Sequence, residues 1–151
     1  MGCNLIAITP ERFSEALVEQ AIAACLEEKK KLIVLLINDP ASINATAMNF
    51  KQSSPVGNSK AIAESLKSHH KFLLQEDLSS IKTKTVEAQI GYEEIKETGD
   101  FEKEIIKTVR KLTPDTLFVS RMETKTSFSR FLRGSVVESL QKNCSCKVVV
   151  L

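Results

Sequence analysis

The sequence is poor in aromatic residues and in histidine. It contains no tryptophan, one tyrosine, seven phenylalanines and two histidines among 151 residues. Because single-stranded nucleic acids are held largely by stacking on aromatic side chains, this composition argues against a base-binding surface. The formal net charge of +2 is also too small to indicate nucleic-acid binding. We therefore expect no nucleic-acid partner.

Long apolar segments are missing as well. No apolar run approaches the roughly 18 residues that a membrane-spanning helix requires. The opening segment, MGCNLIAITPERF, lacks the basic start and the long apolar stretch of a secretory signal. We expect a cytoplasmic protein without direct membrane insertion.

The cysteines and histidines do not form the pattern of a metal site. Cys144 and Cys146 have CxC spacing, but no second pair of that kind occurs among the four cysteines. His69 and His70 are adjacent in sequence and cannot share one helix face. A zinc site would need more ligands, so we expect no metal and reduced cytosolic thiols.

The apolar pattern alternates between helical and extended periods. The continuous run 32–37 (LIVLLI) is typical of a strand buried on both faces, whereas Phe13, Leu17, Ala21 and Cys25 repeat at helical spacing. The pattern predicts strands at 4–8, 32–37, 83–92, 116–120 and 147–151, helices at 11–30, 59–80, from 100 and at 134–142, and loops at 41–58 and 121–133. Thr9 is predicted to cap the first helix, with Pro10 at its start.

This order of elements defines the expected architecture. Alternating strands and helices predict one α/β domain over 1–151, a three-layer α/β/α sandwich around a five-stranded parallel sheet. The expected strand order is 3-2-1-4-5, in which the order reverses between the first and fourth strands. Ligands of such sheets bind beyond the carboxyl ends of the strands, where the strand order reverses. The segments 9–11 and 121–135 should meet there.

The second of these segments is rich in positive charge. Arg121, Lys125, Arg130 and Arg133 precede Gly134-Ser135 at a helix start. Backbone N–H groups at a helix N-terminus attract anions, and glycine permits close approach. Two interpretations stay open, namely a phosphate or other anion cradle and a solvated loop whose charges serve solubility.

With these residues in view, the chain resembles the universal stress protein family over nearly its whole length. The similarity lies in NLIAITPERFSEALVEQAIAAC, in LIVLLINDP, and most specifically in DTLFVSR followed by RGSVVESLQKNCSCKVVVL. The resemblance implies an adenine nucleotide alpha hydrolase-like fold. It also implies a nucleotide site carrying the loop motif G-x2-G-x9-G-[ST].

The chain departs from that motif at three positions. Gly134-Ser135 matches its end, but Arg121 and Thr124 stand where its first two glycines would be, and Thr9 stands where the family has an acidic residue. Side chains at glycine positions restrict the approach of backbone to phosphate. The resemblance therefore implies a degenerate site for ATP or AMP with weak binding. Its residues would be Thr9, Pro10, Leu36, Ile37, Ser120, Arg121, Thr124, Arg133, Gly134, Ser135 and Val136.

By the same resemblance, the protein would be a stress-response or regulatory module. It would form a homodimer through its last strand, Val148, Val149, Val150 and Leu151. The alternative is a module of the same fold that binds no nucleotide and acts through a protein partner or on a transporter.

An enzyme on this architecture would need motifs that the sequence lacks. No Ser-Gly-Gly-x-Asp-Ser loop follows the first strand, and no His-x-Gly-His occurs. Both histidines lie on the second predicted helix, so no serine or cysteine nucleophile is matched with a credible base at the expected ligand edge. A phospho-receiver domain would need an acidic pair after the first strand, and a flavodoxin would need a glycine-rich loop in place of Thr-Pro-Glu. We expect a binding module without catalytic residues.

Overall fold

The computed structural model describes residues 2–9, 12–38, 75–120 and 136–151, and strands alternate with helices through these segments. The strands are β1 (Cys3–Ile8), β2 (Lys31–Asn38), β3 (Tyr92–Thr98), β4 (Thr116–Val119) and β5 (Lys147–Val150). The helices are α1 (Glu15–Glu28), α2, described over 75–87, α3 (Phe101–Leu112) and α4, described over 136–143.

The described strands form one parallel sheet. Its order is β3-β2-β1-β4-β5, so the chain winds outwards from β1 in both directions. Asn4 of β1 lies opposite Leu32 of β2 and Thr116 of β4. The predicted parallel topology and strand order are confirmed.

Both faces of the sheet are covered by helices. Side chains alternate across the strands, and every residue of β1 is buried. One core joins Leu5, Ala7, Ile33 and Leu35 to Ile105 of α3 and Leu140 of α4, and the other joins Ile6, Ile8 and Val34 to Leu17 of α1 and Ile81 of α2. Burying each such Leu or Ile side chain contributes about 1.5–3 kcal/mol. The predicted three-layer α/β/α sandwich is therefore confirmed.

The first helix begins later than the pattern predicts. Helix α1 starts at Glu15, and the hydroxyl of Ser14 accepts a hydrogen bond from the N–H of Leu17. The prediction that Thr9 caps this helix is wrong, because Thr9 closes a separate turn with Arg12. Ser14 is the better-placed cap because Glu15 follows it in the first turn, where negative charge is favoured.

The third strand lies elsewhere than predicted. Residues 83–87 belong to α2, and β3 follows at Tyr92–Thr98. Leu78, Ile81 and Thr85 are buried on one helical stripe, while Val86 is 66% exposed. The residues that alternate in 83–92 therefore belong to the end of a helix and to the turn that follows it. The actual strand contains little apolar sequence because it lies at the edge of the sheet.

Other predicted elements are found or lie outside the described residues. The carboxylate of Asp100 caps α3 as predicted, accepting a hydrogen bond from the N–H of Lys103 at 3.0 Å. The predicted loops 41–58 and 121–133 lie outside the described residues, as does His69. Across the described ranges, none of the helices combines the length and the apolar composition needed to cross a membrane.

Substitution of Val86 by alanine distinguishes the observed helix from the predicted strand. Alanine has a higher helix propensity than valine and a lower strand propensity. We expect Val86→Ala to raise the free energy of unfolding in urea by about 0.5 kcal/mol. Lys96→Ala, at an exposed position of β3, is the control and should give no gain. A loss of stability in Val86→Ala would contradict the helix.

Candidate functional site

The strand order reverses between β1 and β4, and this is the place where an open parallel sheet binds its ligand. Ala7 lies opposite Val119, and Ile8 lies opposite Leu36. Thr9 and Ser120 are the next residues of β1 and β4, so they leave the sheet side by side at its carboxyl edge. Both are buried, with 5% of each residue exposed.

The connection after β1 is closed by its own hydrogen bonds. The backbone N–H of Arg12 donates to the carbonyl oxygen of Thr9 at 3.0 Å and to its hydroxyl Oγ1 at 3.1 Å. The chain therefore turns sharply before α1 begins at Glu15. This turn directs the side chain of Arg12 along the carboxyl edge of the sheet towards β4.

Arg12 joins three parts of the fold at this edge. Only 4% of the residue is exposed, and its terminal nitrogen Nη1 donates to the carbonyl oxygen of Ser120 at 3.2 Å. Its guanidinium carbon lies 4.5 Å from the centroid of the Phe101 ring, the first residue of α3. The guanidinium thus connects the β1–α1 turn with the end of β4 and the start of α3, and it brings a positive charge to the switch point.

The acidic side chains at the start of α3 have local hydrogen-bond partners. Asp100 accepts from the N–H of Lys103, as an N-cap does. Glu102 accepts a hydrogen bond from the hydroxyl of Ser139 and so ties α3 to α4. Negative charge at this position interacts favourably with the positive N-terminal end of the α3 dipole. Together these contacts hold the start of α3 in place.

The structure brings some of the sequence-predicted site residues together. Thr9 and Ser120 meet through Arg12, as described above. Leu36 and Ile37 lie on the neighbouring strand β2 near its carboxyl end, with buried side chains, and Val136, the first described residue of α4, packs against the core. The other predicted site residues lie outside the described segments, namely Pro10, Arg121, Thr124, Arg133, Gly134 and Ser135.

Arg12 was not identified by sequence analysis, because the pattern placed it inside the first helix. A signal for it did exist. Ser14 followed by Glu15 is a helix start, and recognising it would have left Arg12 in the connection at the carboxyl end of β1. That connection is one of the two that form the ligand site in this class of sheet.

A cleft of about 380 Å³ lies at the opposite, amino end of the sheet, between the ends of α1 and α2. Two of its three lysines pair with neighbouring acids: Lys30 pairs with Glu28 and, at 3.2 Å, with Asp115, and Lys31 pairs with Glu93 at 3.0 Å. The third, Lys29, is the C-cap of α1. The cleft also faces the C-terminal ends of two helices, where positive charge is favoured. Its lysines thus have a structural explanation.

The cysteines of the described segments are not activated nucleophiles. Burial, with a smaller contribution from the nearby Cys146, raises the pKa of the Cys144 thiol to about 11. Burial also raises the pKa of Cys25. Since the thiolate is the reactive form, these side chains act as packing groups. Within the segments described, no group of three or more His, Cys, Asp or Glu side chains could hold a metal ion.

The contact between Arg12 and Phe101 can be measured with a double-mutant cycle. We expect Arg12→Met and Phe101→Leu to show a coupling of about 0.5–2 kcal/mol in the free energy of unfolding, as cation–π pairs do when they are shielded from water. The control cycle pairs Phe101→Leu with Arg110→Met, an exposed arginine about 13 Å further along α3. Additivity in the first cycle would contradict the contact.

Comparisons with known proteins agree with the fold. The model of the universal stress protein family matches residues 5–151. No curated protein matches the sequence significantly. Universal stress protein UspA from Lactobacillus plantarum is 12% identical, with a TM-score of 0.64 over 99% of this chain and 97% of that chain.

Two further solved structures of the same fold contain nucleotides. A universal stress family protein from Arabidopsis thaliana with AMP bound is 18% identical, with a TM-score of 0.58 over 99% of this chain and 90% of that chain. The universal stress protein from Archaeoglobus fulgidus in complex with dAMP is 12% identical, with a TM-score of 0.59 over 99% and 97%. Since the family model covers the sequence from residue 5 to residue 151, the chain belongs to the universal stress protein family.

Proposed function

We propose that this protein is a regulatory module that binds an adenine nucleotide at the carboxyl edge of the sheet, between β1 and β4. The observation that carries the proposal is the meeting of Thr9, Arg12 and Ser120 at the switch point. Polar groups from two different connections converge there, as they do at ligand sites of open α/β sheets.

The class of ligand is suggested by relatives of the same fold. The Arabidopsis thaliana structure holds AMP, and the Archaeoglobus fulgidus structure holds dAMP. Both ligands are adenine mononucleotides. We propose that the adenine lies against the backbone near Leu36 and Ile37, with the phosphate directed towards Gly134-Ser135.

Binding is expected to be weaker than with an intact phosphate loop. Arg121 and Thr124 occupy two positions where the family motif has glycine. Their side chains limit how closely backbone N–H groups can approach a phosphate. We propose that the protein responds to nucleotide concentration in the cytoplasm and carries no catalytic residues of its own.

Calorimetric titration with AMP and ATP, with and without magnesium, tests the proposal. We expect AMP to bind with a dissociation constant on the order of micromolar, about −8 kcal/mol. Saturating AMP should then raise the melting temperature, because the ligand binds only the folded state. GMP is the matched control for the base and should bind more weakly.

Absence of heat with every nucleotide, together with an unchanged melting temperature, would contradict nucleotide binding. That result would favour the alternative, a module that acts through a protein partner without any nucleotide. If GMP bound as tightly as AMP, the protein would have a phosphate site without a preference for adenine.

We further propose that the module is a homodimer formed through β5. This strand lies at one edge of the sheet, and an edge strand presents unpaired backbone groups to a partner. Val148, Val149 and Val150 are partly buried, and Leu151 is 42% exposed. Two copies related by a twofold axis would cover this apolar edge.

Sedimentation of Leu151→Lys tests the dimer. A lysine on an edge strand opposes pairing because its charge would be buried against its own copy. We expect the dissociation constant of the dimer to rise by about tenfold or more. Leu26→Lys changes another exposed leucine, on α1 and 51% exposed, and should leave the dimer intact. A wild-type protein that sediments as a monomer would contradict the proposal.

A further inference from the structure

We propose that the exposed side of α3 is a docking surface for an acidic segment of a partner protein. All the exposed residues of this helix are cationic, namely Lys103, Lys107, Arg110 and Lys111. We call these four residues the α3 basic face. The proposal does not depend on nucleotide binding, because it concerns the outer surface of a helix.

The four cations lie on one side of the helix. They occupy positions i, i+4, i+7 and i+8, which helical geometry places within about 100° of one another and over about 12 Å of the axis. The opposite side of α3 is buried, since Phe101, Ile105 and Val109 pack into the core with Ile33 of β2. The fold therefore directs a continuous basic stripe to solvent.

Most of this positive charge is not compensated within α3. Lys107 pairs with Glu104 at 3.5 Å, and across the described segments the other three cations of the α3 basic face form no ion pairs. Glu102, the other acid of the helix, accepts a hydrogen bond from Ser139 of α4. Asp100 caps the backbone at the helix start. An excess of positive charge therefore faces solvent.

Helix stability does not account for the whole α3 basic face. Like charges at i,i+4 spacing are destabilising, and α3 has two such pairs, Lys103 with Lys107 and Lys107 with Lys111. Cations in the last turn interact favourably with the helix dipole, which explains Arg110 and Lys111. Lys103, however, lies in the first turn, where a cation is unfavourable. The pattern thus reduces helix stability without a gain in folding.

The net charge of the chain does not account for it either. Helix α1, which packs on the other face of the sheet, contains four glutamates and no basic residue, and all four glutamates are exposed. The formal net charge of the whole chain is only +2. The outer sides of α1 and α3 therefore carry opposite charge, and the basic residues of α3 are a local feature.

The chemistry of the α3 basic face fits carboxylates of a protein. Three of its four cations are lysines, which are point charges without the planar fork that favours phosphate. No exposed apolar side chain lies among them, although a helix that rests in a membrane interface needs an apolar face. A partner helix with acidic residues at i,i+4 spacing would place carboxylates about 6 Å apart and so match the lysines.

Fluorescence anisotropy with a labelled deca-glutamate peptide as the probe tests the proposal. We expect saturable binding at about 0.05 M salt that is at least about tenfold weaker at about 0.5 M salt, because salt screens exposed charges. A deca-glutamine peptide of the same length is the control for charge and should not bind.

A triple variant locates the binding surface. We expect the combination of Lys103→Gln, Lys107→Gln and Lys111→Gln to weaken binding of the probe by about tenfold or more. The matched control changes three exposed lysines on α2, β3 and β5, namely Lys82→Gln, Lys96→Gln and Lys147→Gln. It removes the same charge and should keep the affinity within about twofold.

Several results would overturn the proposal. Equal weakening in the two triple variants would show that the probe responds only to net charge. Binding of phosphatidylserine vesicles without binding of the probe would identify a membrane as the partner. Salt-sensitive self-association that Glu19→Gln abolishes would identify a second copy of the chain, docked through α1.

Urea unfolding of the α3 triple variant separates a docking surface from a structural role. Removal of like-charge pairs should leave the unfolding midpoint unchanged or raise it slightly. A clear fall in the midpoint would show that the basic residues stabilise the fold, and this would also overturn the proposal.

Discussion

The burial of β1 and β2 on both faces is the constraint on which the rest of the structure depends. Every residue of β1 is buried, and only the two end residues of β2 are exposed. Strands of this kind need helices on both sides, and helices that return the chain to a parallel neighbour place every carboxyl end at the same edge. The need to cover the central strands on both faces therefore brings all the carboxyl ends to one edge, where the candidate site lies.

At that edge, the order of the strands decides which connections meet. Because the chain turns back to β1 before adding β4, the ends of these two strands are neighbours although they are distant in sequence. Arg12 and Ser120 are joined by a hydrogen bond across a separation of 108 residues. The side chain that makes this bond also lies over the ring of Phe101, so β1, β4 and α3 are tied together at this edge.

The local pattern failed where two structural signals compete. Residues 83–92 alternate as a strand does, yet Leu78, Ile81 and Thr85 face the core from a helix. The strand Tyr92–Thr98 has Ile95 as its partly buried aliphatic residue, because one side of an edge strand has no neighbour and both of its faces are only partly covered. Similarly, Thr9 and Ser14 are both suitable caps, and only the turn between Thr9 and Arg12 selects Ser14.

The sequence by itself determined the α/β class and the parallel sheet, and with the strand order expected for such a sheet it indicated the edge at which a ligand should bind. Continuous apolar runs and helical stripes are set by which faces must leave water, and that information is local. Thr9 and Ser120 were accordingly located in advance at the ends of their strands. The position of Arg12 was decided only by the tertiary structure, because its contacts come from two distant segments of chain, β4 and α3. No period in the sequence records a hydrogen bond or a ring contact between residues that only the folded sheet brings together.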